Sequence, residues 1–348
     1  MQLLFLLEKI RNPVFDFVFS LITHIGEETV FLAVAIIFFW CINKRKGYYI
    51  LITGLVGTVI NQFLKLLFRI PRPWVSHPEF TIVESARAEA TGYSFPSGHT
   101  QNVAGTFGAI GLSYKKLFVR IASIAVIALV AFSRMYLGVH TPWDVLTSLA
   151  IAAALIFGLY PFFSNEERFK KAMPFIVAIS FVLAAAFLAY VLYMPNKPTY
   201  SSDNYQSALK NAYTLFGCTL GLIVVYAFDS LYINFDTKAS WYVQVIKLVV
   251  GFAGVFGLKA GLSSPLTALF GNEFVARSFR YFLVVVFAGI LWPLAFKYLV
   301  KIKIKCLDSL GVKVCCVFSP SYKEKVKEEE RRLKKLNTPH GKKKKKRK

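Results

Sequence analysis

Nine apolar runs, most of them long enough to cross a lipid bilayer, constrain this chain more than any other feature of its sequence. They cover residues 27–43, 48–68, 98–114, 117–138, 143–163, 172–194, 210–230, 240–258 and 278–299. A hydrocarbon core about 30 Å thick takes roughly 20 helical residues to span. Within it, only helices and closed barrels satisfy every backbone polar group. The runs therefore predict an all-α, polytopic transmembrane bundle of about nine spans. Composition agrees, since 55% of the 348 residues are apolar and 18% charged. Run 27–43 is short for a crossing, and 98–114 carries Thr100, Gln101, Asn102 and several glycines, so one of its sides must face protein. Residues 1–24, apolar but broken by Glu8, Lys9, Arg11 and Pro13, read either as an interfacial helix or as a tenth span. No charged leader with a small-residue cleavage site opens the chain, and insertion through its own helices is expected.

The net charge of +23 would suit a nucleic-acid partner, but its distribution argues for none. From Tyr322 to the end, fourteen Lys or Arg stand against four Glu, and other basic residues collect in short loops. Lys44, Arg45 and Lys46, then Lys115 and Lys116, then Arg168, Lys170 and Lys171, then Lys238 and the tail from Lys301 all fall on one side of the bundle, which the positive-inside rule makes cytoplasmic. Loops 69–97, 139–142, 195–209 and 259–277 then face outward. Arg69, Arg72, Arg87 and Arg134 break the rule there, which marks them as candidate functional residues. The cysteines Cys41, Cys218, Cys306, Cys315 and Cys316 have neither metal-ligand spacing nor a histidine cluster, so no metal, cofactor or disulfide framework is expected.

Three clusters sit at the outward ends of runs two to five. Lys65 and Arg72-Pro73 offer a mobile ammonium and a planar guanidinium, both suited to phosphate. Alone, they equally read as an interfacial lysine and a solvated loop arginine. Pro96-Ser97-Gly98-His99 opens a helix, presenting free N–H groups at the positive end of its dipole with Ser97 as cap and His99 beside the anion. Alone, this is an ordinary cap with a histidine in the first turn. Ser133-Arg134, then His140 and Asp144, ends one run and begins the next. Thr141 and Pro142 look like the cap and first position of a helix, which puts Asp144 where it can hold one ring nitrogen of His140 and leave the other free. Alone, Asp144 merely caps. Together the clusters form an inventory for phosphoryl transfer, without a nucleotide loop or a two-metal acidic cluster.

Lys65-x6-Arg72-Pro73, Pro96-Ser97-Gly98-His99 and Ser133-Arg134-x5-His140-x3-Asp144 resemble all three motifs of the type 2 phosphatidic acid phosphatase superfamily, over roughly residues 25–165. The resemblance implies that His140 is the nucleophile oriented by Asp144, and that His99 protonates the leaving oxygen and then activates water. It implies that Lys65, Arg72, Ser97, Gly98 and Arg134 bind the phosphoryl oxygens, without metal. The expected substrate is a phosphorylated membrane lipid, cleaved at the outer face of a cell membrane. A phosphotransferase of the same fold, a vanadate-dependent haloperoxidase and a non-catalytic anion binder are the alternatives, the second weakened by the spans.

Residues 166–300 add four runs without a catalytic motif and are expected to shape lipid access or a homodimer contact. Lys259, Glu273, Arg277 and Arg280 in their outer loop read as head-group contacts or as solvated anchors. Residues 301–348 are expected to form a cytoplasmic basic tail. In it, Glu328 with Arg332 and Glu330 with Lys334 have helical spacing over 324–336, Lys342–Lys348 would attract an anionic leaflet, and Cys315 and Cys316 are candidates for acylation.

Overall fold

The structure is a computed structural model that describes residues 1–195, 198, 202–302, 324, 328 and 331. Among these, the regular elements are helices: α1 (Gln2–Lys9), α2 (Pro13–Thr23), α3 (Glu28–Ile37), α4 (Lys44–Phe68), α5 (Pro73–Ser76), α6 (Gly98–Ser113), α7 (Leu117–Tyr136), α8 (Pro142–Ser164), α9 (Glu166–Tyr193), α10 (Asp203–Phe228), α11 (Trp241–Gly261), α12 (Ser263–Phe270), α13 (Glu273–Val286) and α14 (Trp292–Leu299). Their starts are chemically marked. Asn43, Ser97, Asn165, Ser202 and Asn272 each accept a backbone N–H from the helix they open, and Pro13, Pro73 and Pro142 stand at first positions, where no N–H is needed. The expectations for the tail, its short helix, its cationic tip and its cysteine pair, fall outside the described residues apart from residues 301, 302, 324, 328 and 331.

Each of the nine apolar runs is helical, but not all are full crossings. Seven stretches are long and apolar enough: Lys44–Ser76, Leu117–Tyr136, Pro142–Ser164, Glu166–Tyr193, Asp203–Ile233, Trp241–Gly261 and Glu273–Leu299. Pro13–Gly26 and Glu28–Ile42 meet the criterion only as a pair, bent by 51°. Residues 13–26 thus adjoin run 27–43 across a bend at Gly26, Glu27 and Glu28. α6 has 16 residues, about 24 Å of helix, which is short of the hydrocarbon thickness. Two expected loops are shortened by helix: α10 already begins at Asp203, and α12 lies within 259–277.

α6 packs against α3, α4, α7 and α8, which buries its polar residues Thr100, Gln101 and Thr106. It runs opposite to α4. Added Cβ atoms at Gly57 and Gly98 of these two helices would approach Gln101 Nε2 and Asn61 Oδ1 to 2.5 and 4.0 Å, and one at Gly105 would lie 3.5 Å from Thr53 Cγ2. Large apolar side chains turn outward from the surrounding helices: Phe118, Trp143 and Phe175 are exposed by 81%, 74% and 69%, as a lipid-covered surface requires. Contacts divide the chain into residues 1–238 with 247–296, which hold α1–α10, α12 and α13, and a smaller unit of 239–246 with 297–348. Within the smaller unit, Tyr242 Oη donates to Ile302 O at 3.0 Å.

Candidate active site

Four chain segments meet at the ends of α4, α6, α7 and α8. Lys65 lies in the last turn of α4, which stops at Arg69 in the left-handed conformation, with φ of 50°. Arg72 immediately precedes α5, Ser97 caps α6, and Arg134 lies in the last turn of α7. The carbonyl of Arg134 accepts from the N–H groups of Val139 and His140 at 3.2 and 3.3 Å, folding the connecting loop back onto the helix end. α8 opens with a reciprocal cap: Thr141 Oγ1 accepts from Asp144 N, and the Asp144 carboxylate accepts from Thr141 N.

His140 is buried between opposite charges. Its Nδ1 lies 3.3 Å from Asp144 Oδ2, and its Nε2 lies 3.0 Å from Arg72 Nη1. A guanidinium only donates, so Nε2 accepts and Nδ1 carries the hydrogen that points at the carboxylate. The tautomer is fixed with its lone pair on the Arg72 side. Burial, then the charges of Arg72, Arg134, Lys65 and His99, push the His140 pKa well below its ordinary value. The ring is therefore neutral at physiological pH and can act as a nucleophile.

Arg72 has five N–H groups, and four are engaged. Nε donates to Gly92 O at 3.1 Å, Nη2 to Thr91 O at 2.8 Å, and Nη1 to Val139 O and His140 Nε2, both at 3.0 Å. One side chain thus ties loop 91–92 to loop 139–140. Lys65 Nζ donates to Tyr93 O at 2.5 Å and Ser94 O at 3.3 Å, fixing the same loop from α4. Ser97 Oγ accepts from Thr100 N and Thr100 Oγ1, which leaves its own hydrogen to donate, and Ser97 N donates to Asp144 O at 3.2 Å. At Gly98 an added Cβ would meet nothing nearer than 4.0 Å, so backbone N–H groups at the start of α6 are open to close approach.

His99 is partly exposed, and its Nε2 lies 3.5 Å from Glu89 Oε2. The other oxygen of Glu89 lies 3.2 Å from His24 Nδ1, and His24 pairs in turn with Glu27. The contact with His99, then the charges of His24 and Arg134, hold the Glu89 carboxyl below the usual carboxylate range. Arg134 is fully buried and donates through Nη1 to Thr23 Oγ1 at 2.6 Å, while its Nε has no protein partner. The structure thus brings together Lys65, Arg72, Ser97, Gly98, His99, Arg134, His140 and Asp144. His24, Glu27 and Glu89 offer ligand atoms within 4.8 Å of one another, the chemistry a metal could use, but here the imidazole pairs with both carboxylates.

Two further residues belong to this arrangement and were not expected from the sequence. Ser94 is fully buried and donates its hydroxyl to Asp144 Oδ2 at 2.6 Å, so three donors converge on one carboxylate oxygen. Glu89 is an ordinary acidic residue of a long loop until that loop folds over His99. Spacing carried no signal for either: Ser94 meets Asp144 fifty positions on, and Glu89, though only ten positions before His99, reaches it through the path of an irregular loop.

Residues 45–168 match the PAP2 superfamily, and residues 213–304 match the transmembrane extension of PAP2 superfamily phosphatases. The chain is 35% identical over 177 residues to an undecaprenyl-diphosphatase of Bacillus subtilis, covering 49% of this chain and 84% of that protein. It is 29% identical over 178 residues to phosphatidylglycerophosphatase B of the same organism, covering 47% and 82%. To a human sphingosine-1-phosphate phosphatase 2 it is 25% identical over 221 residues, covering 62% and 52%. No solved structure matches the chain significantly.

Proposed function

This chain belongs to the PAP2 superfamily and is an integral membrane phosphatase, and on that premise we propose that it cleaves the phosphate of a membrane lipid through a phosphohistidine formed on His140. The single observation that carries the reading is the His140 ring held between Asp144 at Nδ1 and Arg72 at Nε2.

Nε2 attacks phosphorus as the bond from phosphorus to the lipid oxygen breaks. Burial and the charge of Arg134 hold the pKa of free His99 down to about 4, so His99 takes a proton from the entering monoprotonated phosphate and gives it to the departing oxygen. Water then attacks phosphorus, passing a proton to His99, and the phosphorus–nitrogen bond breaks to release phosphate and restore both rings. Asp144 stabilises the positive charge that His140 gains. When a phosphoryl group approaches Nε2, the Arg72 N–H that touched the ring turns to an oxygen and the fifth N–H joins it. Lys65, Arg134, the Ser97 hydroxyl and the N–H groups opening α6 meet the remaining charge, which is where phosphoryl transfer needs help most.

The substrate class is a lipid phosphomonoester or diphosphate: phosphatidate, phosphatidylglycerol phosphate, a sphingoid-base phosphate or a polyprenyl diphosphate. The names of the relatives cover the last three of these four. We place the site at the non-cytoplasmic face of the cell membrane, because the basic short loops lie at the opposite ends of the helices. Phosphate release by the detergent-purified protein across those lipids, with chelator present, tests the reading. Turnover that vanishes in His140→Ala and withstands chelator is expected. Activity that survives the substitution, or is lost with chelator, would overturn the mechanism.

A further inference from the structure

α10 and α13 are pressed together at glycines. A Cβ on Gly217 would lie 2.0 Å from Ser278 O, one on Gly221 would lie 3.0 Å from Val285, and one on Gly289 would lie 2.3 Å from Val225. Close packing of this kind leaves no slack, yet beside the pair, bounded also by α3, α4 and α11, the structure holds a cavity of about 180 Å³. Leu32, Ile36, Phe39, Leu222, Val255 and Val284 make its walls.

The charged residues of the lining gather at one end, with Glu28, Thr29, Lys259 and Tyr281, while the other end carries a single polar group, the Tyr48 hydroxyl. From Glu28 to Phe39 is eleven residues of helix, about 16 Å, or half of a hydrocarbon core about 30 Å thick. The cavity's length is that of one leaflet, with charge at one end and hydrocarbon walls beyond it. Between the ends the walls offer water no partner, whereas an alkyl chain recovers contact along them.

The charged end of the cavity is close in the chain to a residue that packs against His99. Gly26, two residues before Glu28, sits against His99: its added Cβ would be 2.9 Å from both the Cβ and the carbonyl oxygen of His99, and its carbonyl accepts from Asn102 Nδ2 at 3.3 Å. His99 is the group that protonates the leaving oxygen, so the body of the lipid extends from phosphorus on this side. We propose that the cavity receives the hydrocarbon chain of the lipid whose phosphate is cleaved at His140, with Lys259 and Tyr281 at its polar rim and α10, α11 and α13 acting as the wall that selects chain length. This rests on the phosphatase reading.

The test compares long-chain and short-chain phosphatidate as substrates for the full-length protein and for Ala33→Phe and Ala288→Phe, two substitutions that fill the cavity from opposite walls. The expected result is a rise of about tenfold or more in KM for the long-chain lipid with the short-chain lipid unaffected. A diazirine-bearing long-chain phosphatidate, photolysed on the wild-type protein, is expected to label α3, α10, α11 or α13. Equal effects on both chain lengths, or label confined to the outward faces of α7, α8 and α9, would overturn the assignment. So would a bilayer lipid that co-purifies with the wild type and is lost from the variants while their kinetics stay unchanged. Failure of the wild type to hydrolyse any lipid phosphate would instead overturn the phosphatase reading.

Discussion

Arg72→Lys keeps the charge at the site and removes its geometry. The guanidinium reaches Gly92 O, Thr91 O, Val139 O and His140 Nε2 at once, because its five N–H groups point in fixed directions in one plane. An ammonium has three donors converging on one nitrogen and cannot span loops 91–92 and 139–140. At least one charge-assisted bond is lost at the reacting nitrogen, worth about 1.5–3 kcal/mol. If that loss falls on the transition state, kcat/KM drops by about 10–150-fold. The freed carbonyls of Thr91 and Gly92, only partly buried, can turn to water, so the fold loses less than the reaction does. The assay is phosphate release from the preferred lipid by wild type and variant, alongside thermal unfolding of both in detergent. A variant within about threefold of wild-type kcat/KM would refute the claim that the planar fork, rather than the charge, organises the site.

Because the His140 pKa lies well below its ordinary value, the ring stays neutral in the folded protein as pH falls below about 6.5, and ring ¹⁵N NMR should find no protonation there. The unfolded chain takes up a proton in that same range, so this group makes stability fall as pH drops below about 6.5 until the folded pKa is reached; His140→Asn should flatten that slope in thermal unfolding. Glu89→Gln weakens the support of His99 and should lower kcat about tenfold on lipid substrates, with a smaller effect on p-nitrophenyl phosphate, whose leaving group needs little protonation. Equal losses on both substrates would remove Glu89 from the acid's surroundings. Gly217→Ala drives a Cβ to 2.0 Å from a backbone carbonyl of α13, and chemical or thermal unfolding should report destabilisation by about 1–3 kcal/mol; a neutral result would mean that the two helices can slide apart.

Much of the site was legible because its chemistry is local in sequence. Ser97 and Thr141 are caps, and a cap is written in the residue and its next three neighbours, so the helix starts beside His99 and Asp144 could be read directly. The spans were legible for the same reason, since apolar length is a property of a single segment. The short α6 and the 51° bend between residues 13–26 and 28–42 were harder to read, because whether an apolar run crosses alone depends on what packs beside it.

The sequence by itself determined a helical membrane bundle, the three motif clusters, and the residue types that could bind and attack a phosphoryl group. Only the tertiary structure decided that Arg72 holds two loops together, that Ser94 donates to the carboxylate orienting His140, that Glu89 reaches His99, and that a largely apolar cavity forms among α3, α4, α10, α11 and α13. The physical reason is range. Helix propensity, capping and apolar length act over a few neighbouring residues, whereas the hydrogen bond between Ser94 and Asp144, fifty positions apart, exists only once packing has brought the loop before α6 against the start of α8.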